Sequence, residues 1–421
     1  MAVTASLAGV GRKLALATVL VVPSIFLLRV ASRPWLADLA ASHRTLSGLK
    51  RAAEIEPRNA ERYYELGRYE SLMGGDAAPD AIGEFRTATE LNPHRGRYWI
   101  ELARALRSQG DLSGEGTALH EAIRQDPANV NLADDAAAFF LARGDIDDAI
   151  REFRLVIEHD EKKAPTVYAT LWRQTHDADL LISRGVPPSA QYHAALMKVL
   201  LRADQSQAAD ELWRRWMSLS GDMAASPAFP YIDFLIARGE YTTAKRAWDE
   251  LTTHSAEIRA RLQRGNLLLN GDFEDPIMDG GFEWRYRRTP MASLSIDTER
   301  FHTGSAGLRI DFTGKPGEDV GIGQFVVVPP NTTLKFRGFI RAEEVFTTHG
   351  PRFTITDVAT GAPLYQSAES TGTTLWVERQ GAIAASPTTR LLAVRVTREP
   401  EGHITGRVWI DDLSLTAGDS Q

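Results

Sequence analysis

Apolar and polar residues follow three successive patterns along the chain. The first is a continuous apolar run. Residues 14–28 read LALATVLVVPSIFLL, with no charge between Lys13 and Arg29. Adding Val30 and Ala31 gives about 18 residues, the short end of what spans a bilayer as a helix. The second pattern has helical spacing and fills some 230 residues. The third begins after Gly265, where Gly, Thr, Val and aromatic residues alternate in short runs such as Leu308–Phe312 and Leu334–Ile340. Further alternating runs are Gln324–Val328, Arg352–Thr356, Leu391–Thr397 and Arg407–Leu415. Gly304, Lys315-Pro316-Gly317, Pro329-Pro330-Asn331 and Thr360-Gly361 supply turn signals between them. The chain is expected to be a multidomain protein, α then β. A short tail and transmembrane signal anchor occupy residues 1–33, an α-helical solenoid 34–265 and an antiparallel β-sandwich 266–418.

The apolar run has two readings. As an uncleaved anchor, Arg12 and Lys13 hold a short tail in the cytoplasm and Arg29 snorkels to the headgroups. As a secretory signal, Val30-Ala31-Ser32 offers a small-residue cleavage site. Arg29, lying between the run and that site, favours the anchor. Either reading carries residues 34–421 across the membrane. The anchor places the protein in a bacterial inner membrane as a single-pass chain with its bulk in the periplasm. Cleavage would make it secreted.

Within the helical stretch one spacing repeats. Phe85, Leu119 and Phe153 lie 34 residues apart, as do Ala88, Ala122 and Val156; Pro93 and Pro127, and Gly110 and Gly144, keep the same interval. A fixed period of this size marks stacked helical pairs. Ala103, Ala137 and Ala149 allow close approach of helices, and Tyr63, Trp99, Phe140 and Phe153 fill the space between them. These positions, with Leu66, Gly67, Ala81, Leu102 and Ala136, resemble the tetratricopeptide repeat family over about residues 45–255. Tyr192, Leu196, Ala208 and Leu212 resemble a later unit, and Tyr231, Gly239, Ala244 and Trp248 another. Residues 160–190 fit poorly, because Gly185-Val186-Pro187-Pro188 breaks a helix. The resemblance implies a concave groove that takes a protein partner. Tyr64, Tyr98 and Arg97 are groove candidates, with packing or ordinary surface as the competing role.

The stretch LLLNGDFEDP, residues 267–276, ends the helical pattern, and Asn270-Gly271 is expected to open the first strand of the sandwich. Asn270–Glu274, Gly281–Trp284, Gly304–Ile310, Gln324, Trp376 and the closing run Trp409–Leu415 resemble, in that order, the jelly-roll carbohydrate-binding modules attached to glycoside hydrolases. That resemblance implies a structural calcium ion where the opening and closing strands meet. Glu274 and Asp412 would be ligands, with Asp272 and Asp411 beside them; solvated turn acids are the alternative. It also implies a polysaccharide ligand. Sugar binding needs an exposed aromatic face with polar groups beside it. The candidates are Trp284, Tyr286, Arg287 and Trp376, with Phe346 and His349. Arg285, Arg287 and Arg288 around Trp284 and Tyr286 point to surface there and suit an acidic glycan. Trp376 and Trp409 lie in strand-like runs that suit a core.

Composition narrows the chemistry. The 421 residues contain no cysteine, which removes disulfides, thiolate metal sites and cysteine nucleophiles. A net charge of −7 without a basic run gives no footing for nucleic acid. No phosphate-cradling glycine loop, His-Glu-x-x-His helix or Gly-x-Ser-x-Gly elbow occurs. Asp145-Ile146-Asp147-Asp148 reads as a solvated helix start. The expectation is a non-catalytic envelope adaptor. The competing expectations are a protein scaffold whose sandwich binds no sugar, and a glycan-active enzyme.

Overall fold

The computed structural model describes residues 10–73, 78–315, 319–399 and 402–418, with side chains from residue 18 onward except those of Phe26, Ala78 and Pro79. Pro316 and Gly317 of one expected turn, and the side chains of Arg12 and Lys13, lie outside the described residues. The chain divides into two compact units, Met1–Lys163 and Ala164–Gln421.

The described residues of the first unit form helices joined by short turns. Helix α1 (Val10–Ala41) contains the only described segment long and apolar enough to cross a membrane, Thr18–Ala41, and none of its apolar window is covered by protein. Then follow α2 (Leu46–Ile55), α3 (Ala60–Met73), α4 (Ala78–Leu91), α5 (Gly96–Ser108), α6 (Leu112–Gln125), α7 (Val130–Arg143) and α8 (Ile146–His159). Helices α3–α4, α5–α6 and α7–α8 pack as successive pairs. The 34-residue spacing is the spacing of their shared core. Phe85, Leu119 and Phe153 are buried at equivalent places, as are Ala88, Ala122 and Val156. The α7–α8 turn is closed by Gly144, whose φ of 82° lies in the left-handed region. Two half-buried aromatics fasten the turns before their helices. Trp99 Nε1 donates to the Pro93 carbonyl at 2.8 Å, and Tyr63 Oη to the Pro57 carbonyl at 3.4 Å.

The second unit begins with α9 (Ala164–Thr175) and the short α10 (Ala178–Leu180), which continues as a π-helical turn over Leu181–Gly185. That turn is where the repeat pattern fails. Next are α11 (Ala190–Arg202), α12 (Ser206–Met217), α13 (Phe229–Ala237), α14 (Tyr241–His254) and α15 (Ala256–Ala260). Tyr192, Leu196, Leu212, Tyr231, Ala244 and Trp248 are buried as the repeat requires, but Ala209 rather than Ala208 fills the core of α12.

The described residues of the sandwich, in the same unit, form nine antiparallel strands: β1 (Ala292–Asp297), β2 (Gly307–Thr313), β3 (Gly323–Val327), β4 (Thr333–Phe346), β5 (Arg352–Asp357), β6 (Pro363–Gln366), β7 (Gly372–Ala384), β8 (Leu391–Thr397) and β9 (Thr405–Ala417). One sheet has the order β1-β2-β9-β4-β7 and the other β3-β8-β5-β6. Ile310, Phe336, Ile340, Val408 and Ile410 of the first share one core with Val326, Phe353, Ile355 and Val394 of the second. Phe336 and Phe353 meet edge-on across it, with ring centroids 5.3 Å apart.

Asn270-Gly271 does not open a strand. Asn270 has a φ of 48°, and residues 267–290 run as irregular chain to the first strand, β1. The segment is tied down by its own polar groups. The Asn270 side chain accepts from Asp275 N at 3.1 Å and donates to Asp275 O at 2.8 Å, closing a tight loop on itself. Leu413 N donates to Gly271 O at 2.8 Å, and a side chain at 271 would meet Leu413 O at 2.1 Å. Only glycine lets the two backbones come that close.

The helices of the second unit are joined to the sandwich, so compactness divides the chain at residue 163 rather than at 265. Phe229 and Trp248 press on Gly280 and Gly281, and Trp248 meets Phe282 edge-on at 5.8 Å. Asp233 accepts from Gly281 N at 3.0 Å and from the Arg285 guanidinium at 2.8 Å.

Candidate functional site

The two inner sheet faces are filled by core side chains. The outer face of the five-stranded sheet carries the densest chemistry. Antiparallel register sets Arg309 of β2 opposite Trp409 of β9, and Trp409 opposite Arg341 of β4. Trp409 is 1% exposed, yet it lies outside the sandwich core. Arginines cover it: Arg300, Arg309 and Arg341 place their guanidinium carbons 5.2, 5.7 and 5.9 Å from its ring centre. Its indole N–H donates to Asp297 at 2.8 Å.

Ion pairs lace the rows around this tryptophan. Arg309 pairs with Asp311 at 2.6 Å and Asp297 at 3.6 Å. Arg407 pairs with Asp311 and with Glu343, each at 3.3 Å, and Arg300 also pairs with Glu343. A cleft of about 260 Å³ opens there between Asp311, Glu343, Glu344 and Arg407.

Toward the edge strand β7 lies an aromatic group. The His302 ring stacks on Phe339 at 3.7 Å and meets Trp376 edge-on at 5.6 Å. Arg337 sits over the other side of Phe339 at 4.8 Å and pairs with Glu378 at 2.6 Å. Trp376 is half-buried, leaving part of its ring in solvent. It stands within β7.

The acidic residues expected to gather at calcium are engaged separately. The register between β4 and β9 shifts at Asp412, which has a φ of 50°, and this bulge turns Asp411 and Asp412 toward the same loop. Asp411 accepts from His302 N at 2.7 Å and Thr303 N at 3.2 Å; Asp412 accepts from Thr303 Oγ1 at 2.7 Å and meets His302 Nδ1. Glu274 accepts from Ser305 N at 2.7 Å, Ala306 N at 3.2 Å and Ser305 Oγ. These bonds hold the Glu274 carboxyl below its ordinary value, led by the Ser305 hydroxyl. Burial, with Asp412 beside it, raises Asp411 to about 6. Asp272 is half-buried. No three carboxylate or histidine groups among the described residues are arranged to hold a metal ion. N–H and O–H donors of the 302–306 loop bond to the Glu274, Asp411 and Asp412 carboxylates.

The candidates around Trp284 separate in the same way. Trp284 is 1% exposed, stacks near Phe273 at 5.2 Å and donates its indole N–H to the Asn270 carbonyl at 3.0 Å. It is core and offers no face to a sugar. Tyr286 packs partly against the same core, while Arg287 is exposed. Phe346 is exposed at the end of β4, and His349 lies 3.6 Å from Glu369. Sequence reasoning did not find Arg341, Arg309, Arg300 or His302. Only the pairing of strands distant in the chain brings them together.

In the helical unit Tyr64 and Tyr98 are buried packing residues, their rings 5.0 Å apart. Arg97 lies over both, at 4.8 and 5.4 Å, with 45% of its side chain exposed. It borders a cleft of about 360 Å³ lined by Glu101, Arg104, Asn131, Asp134 and Asp135.

No family model matches the chain, and no curated protein matches it. Solved structures resemble it in parts. The MamA protein is 15% identical over 41% of this chain and 94% of its own, with a TM-score of 0.32. YrrB, described as a TPR protein with an unusual peptide-binding site, is 14% identical over 46% and 84%, with a TM-score of 0.26. A CBM4 structure is 12% identical over 36% and 99%, with a TM-score of 0.28. A CBM61 in complex with β-1,4-galactotriose is 16% identical over 36% and 99%, with a TM-score of 0.26. The tetratricopeptide proteins match the helical part and the carbohydrate-binding modules the β part.

Proposed function

We propose that the protein is a non-catalytic adaptor of a bacterial envelope, anchored in the inner membrane by α1 with its bulk in the periplasm. In this reading the helical repeats take a protein partner and the sandwich contacts a glycan, in the synthesis or export of a surface polysaccharide. The carrying observation is the outer face of the five-stranded sheet. There Trp376, His302 and Phe339 form an aromatic group beside arginines and carboxylates that suit hydroxyl groups. The apolar Thr18–Ala41 segment supports the anchor. The Arg97 cleft supports a partner with both charged and amide contacts. Asp411 and Glu283, whose protonation burial shifts most clearly among the carboxylates, are fully buried and bonded to backbone N–H groups, which suits structure better than catalysis.

The test is affinity electrophoresis of the full chain in detergent, through gels containing bacterial and plant polysaccharides. Retardation by at least one, weakened about ten-fold or more in Trp376→Ala, is expected for loss of a stacking face. A folded chain retarded by none would end the glycan reading and leave the sandwich a protein-contact domain.

A further inference from the structure

The arginines over Trp409 do not all find a carboxylate. Of the four guanidiniums on this part of the face, Arg300, Arg309, Arg341 and Arg407, three pair with Asp297, Asp311 and Glu343, while Glu344 lies beyond them in the cleft. Each pairing involves Arg300, Arg309 or Arg407. The Arg341 side chain makes no hydrogen bond or ion pair with any described residue, and its Nε is shielded from water without an acceptor. A guanidinium is a planar fork of five donors that cannot discharge by losing a proton. The buried Nε is not what a ligand would reach, and five other arginines share that state. The terminal nitrogens of Arg341, which are not shielded and pair with no carboxylate, are the ones open to an acceptor from outside. Arg341 is also fixed in place, seated on the Trp409 ring with Arg300 and Arg309 beside it.

The surroundings specify what kind of anion. Val377 is the partner of Ile340, so register puts Trp376 of β7 next to Arg341 on the adjacent strand. On the other side the 260 Å³ cleft presents Asp311, Glu343, Glu344 and Arg407, polar groups that suit hydroxyls and leave the anion to Arg341. An aromatic face, an unmatched fork and a polar cleft lie in sequence along one sheet. We propose that this face binds an anionic sugar residue, its ring against Trp376 and its oxyanion on Arg341. The proposal rests on the glycan reading above and gives it a substrate class: a polysaccharide bearing carboxylate, sulfate or phosphate groups. The whole chain carries a net charge of −7, so attraction to a polyanion must arise at a local site and not from overall charge.

The test compares the full chain in detergent on matched polymers: polygalacturonate, the same polymer with its carboxyls reduced to alcohols, dextran sulfate, phosphorylated dextran and plain dextran. Tighter binding to an anionic member than to its neutral counterpart is expected, and which member wins names the oxyanion. Arg341→Gln should weaken that binding about ten-fold or more, the loss of a charge-assisted bidentate contact, and Arg341→Lys should recover part of it. Neutral-polymer binding should be unchanged in both variants, which also shows that they fold. Neutral and anionic polymers bound equally, or anionic binding indifferent to Arg341→Gln, would overturn the proposal while leaving the glycan reading intact. No binding to any polymer by a folded chain would overturn both.

Discussion

Replacing Glu283 by glutamine should stabilise the second unit at pH 8 and do little at pH 5. Glu283 is 0% exposed, and burial raises its carboxyl from 4.5 to about 7. It accepts from Met278 N at 2.7 Å and, more weakly, from Asn270 Nδ2 at 3.4 Å. These bonds and Arg261 favour the charged form but do not outweigh desolvation. The sign follows from proton counts. Between pH 4.5 and about 7 the folded chain keeps a proton at this site that the unfolded chain has lost. Stability is therefore complete below 4.5, falls as pH rises through that window, and is level above it. At about 1.36 kcal/mol per pH unit the fall is about 3 kcal/mol. Glutamine cannot ionise, so it escapes the fall, but it sets a second amide donor against Asn270, a loss of about 1 kcal/mol. The net gain at pH 8 is about 2 kcal/mol. For a unit of this size that is a rise in melting temperature of about 4–8 °C. Scanning calorimetry of the full chain between pH 4.5 and 8 measures it, as the difference between wild type and Glu283→Gln. Parallel pH curves for the two proteins would refute the argument, because the desolvated carboxyl would then not be the source of the pH dependence.

Gly281→Ala should destabilise the second unit by about 2 kcal/mol or more and make the link at 255–282 sensitive to protease. The new Cβ would meet Trp248 at 2.4 Å, at a φ of 58°. Unchanged melting and proteolysis would mean that α14 does not seat on the sandwich. Trp248→Ala removes the same contact from the helical side and should cost about 3–5 kcal/mol, read by denaturant titration. A metal chelator should leave the melting temperature of the sandwich unchanged, since the carboxylates of Glu274, Asp411 and Asp412 are matched by donors of the 302–306 loop; a drop of several degrees, restored by calcium, would reinstate a metal there. Asn270→Ala should lower stability by about 2–4 kcal/mol, because it opens the self-closed loop and puts alanine at a φ of 48°.

The helical half was legible because its information is local. A repeat buries the same kind of residue at the same place in each pair, so a spacing of 34 in the sequence is a stack in space, and Phe85, Leu119 and Phe153 bear this out. Legibility stopped at Leu181–Gly185, where a π-helical turn shifts the register that the period relies on. In the sandwich, β2, β4 and β8 showed themselves by alternation. Strand β7 did not: it is an edge strand with polar residues on both faces, and Arg379 points inward where an apolar residue would have signalled it. Trp284 was misread for a clear reason. Three arginines beside it suggested surface, but its indole N–H finds the Asn270 carbonyl fourteen residues earlier, and chain spacing does not reveal that contact. Trp409 shows the converse. It alternates like a core residue, yet it is buried from outside, under guanidiniums brought in from β2, β4 and the loop before β2.

That last arrangement bears on what the charged face is for. Arg309 and Asp311 are each 31% exposed, Arg407 is 50% exposed and Glu343 23%. Ion pairs at such exposure contribute about 0–1 kcal/mol each, so the lattice adds little to folding. What it does is hold long side chains in one orientation before any ligand arrives, which lowers the entropy lost on binding. A face selected for stability alone would have no reason to seat a third guanidinium on Trp409 without an acid. Removing Arg309 and Asp311 together should therefore leave the melting temperature within about 2 °C of wild type. The same double variant should weaken anionic-polymer binding by loosening Arg341 on its ring. A large fall in stability with binding unchanged would place the lattice among the fold's supports and take it out of recognition.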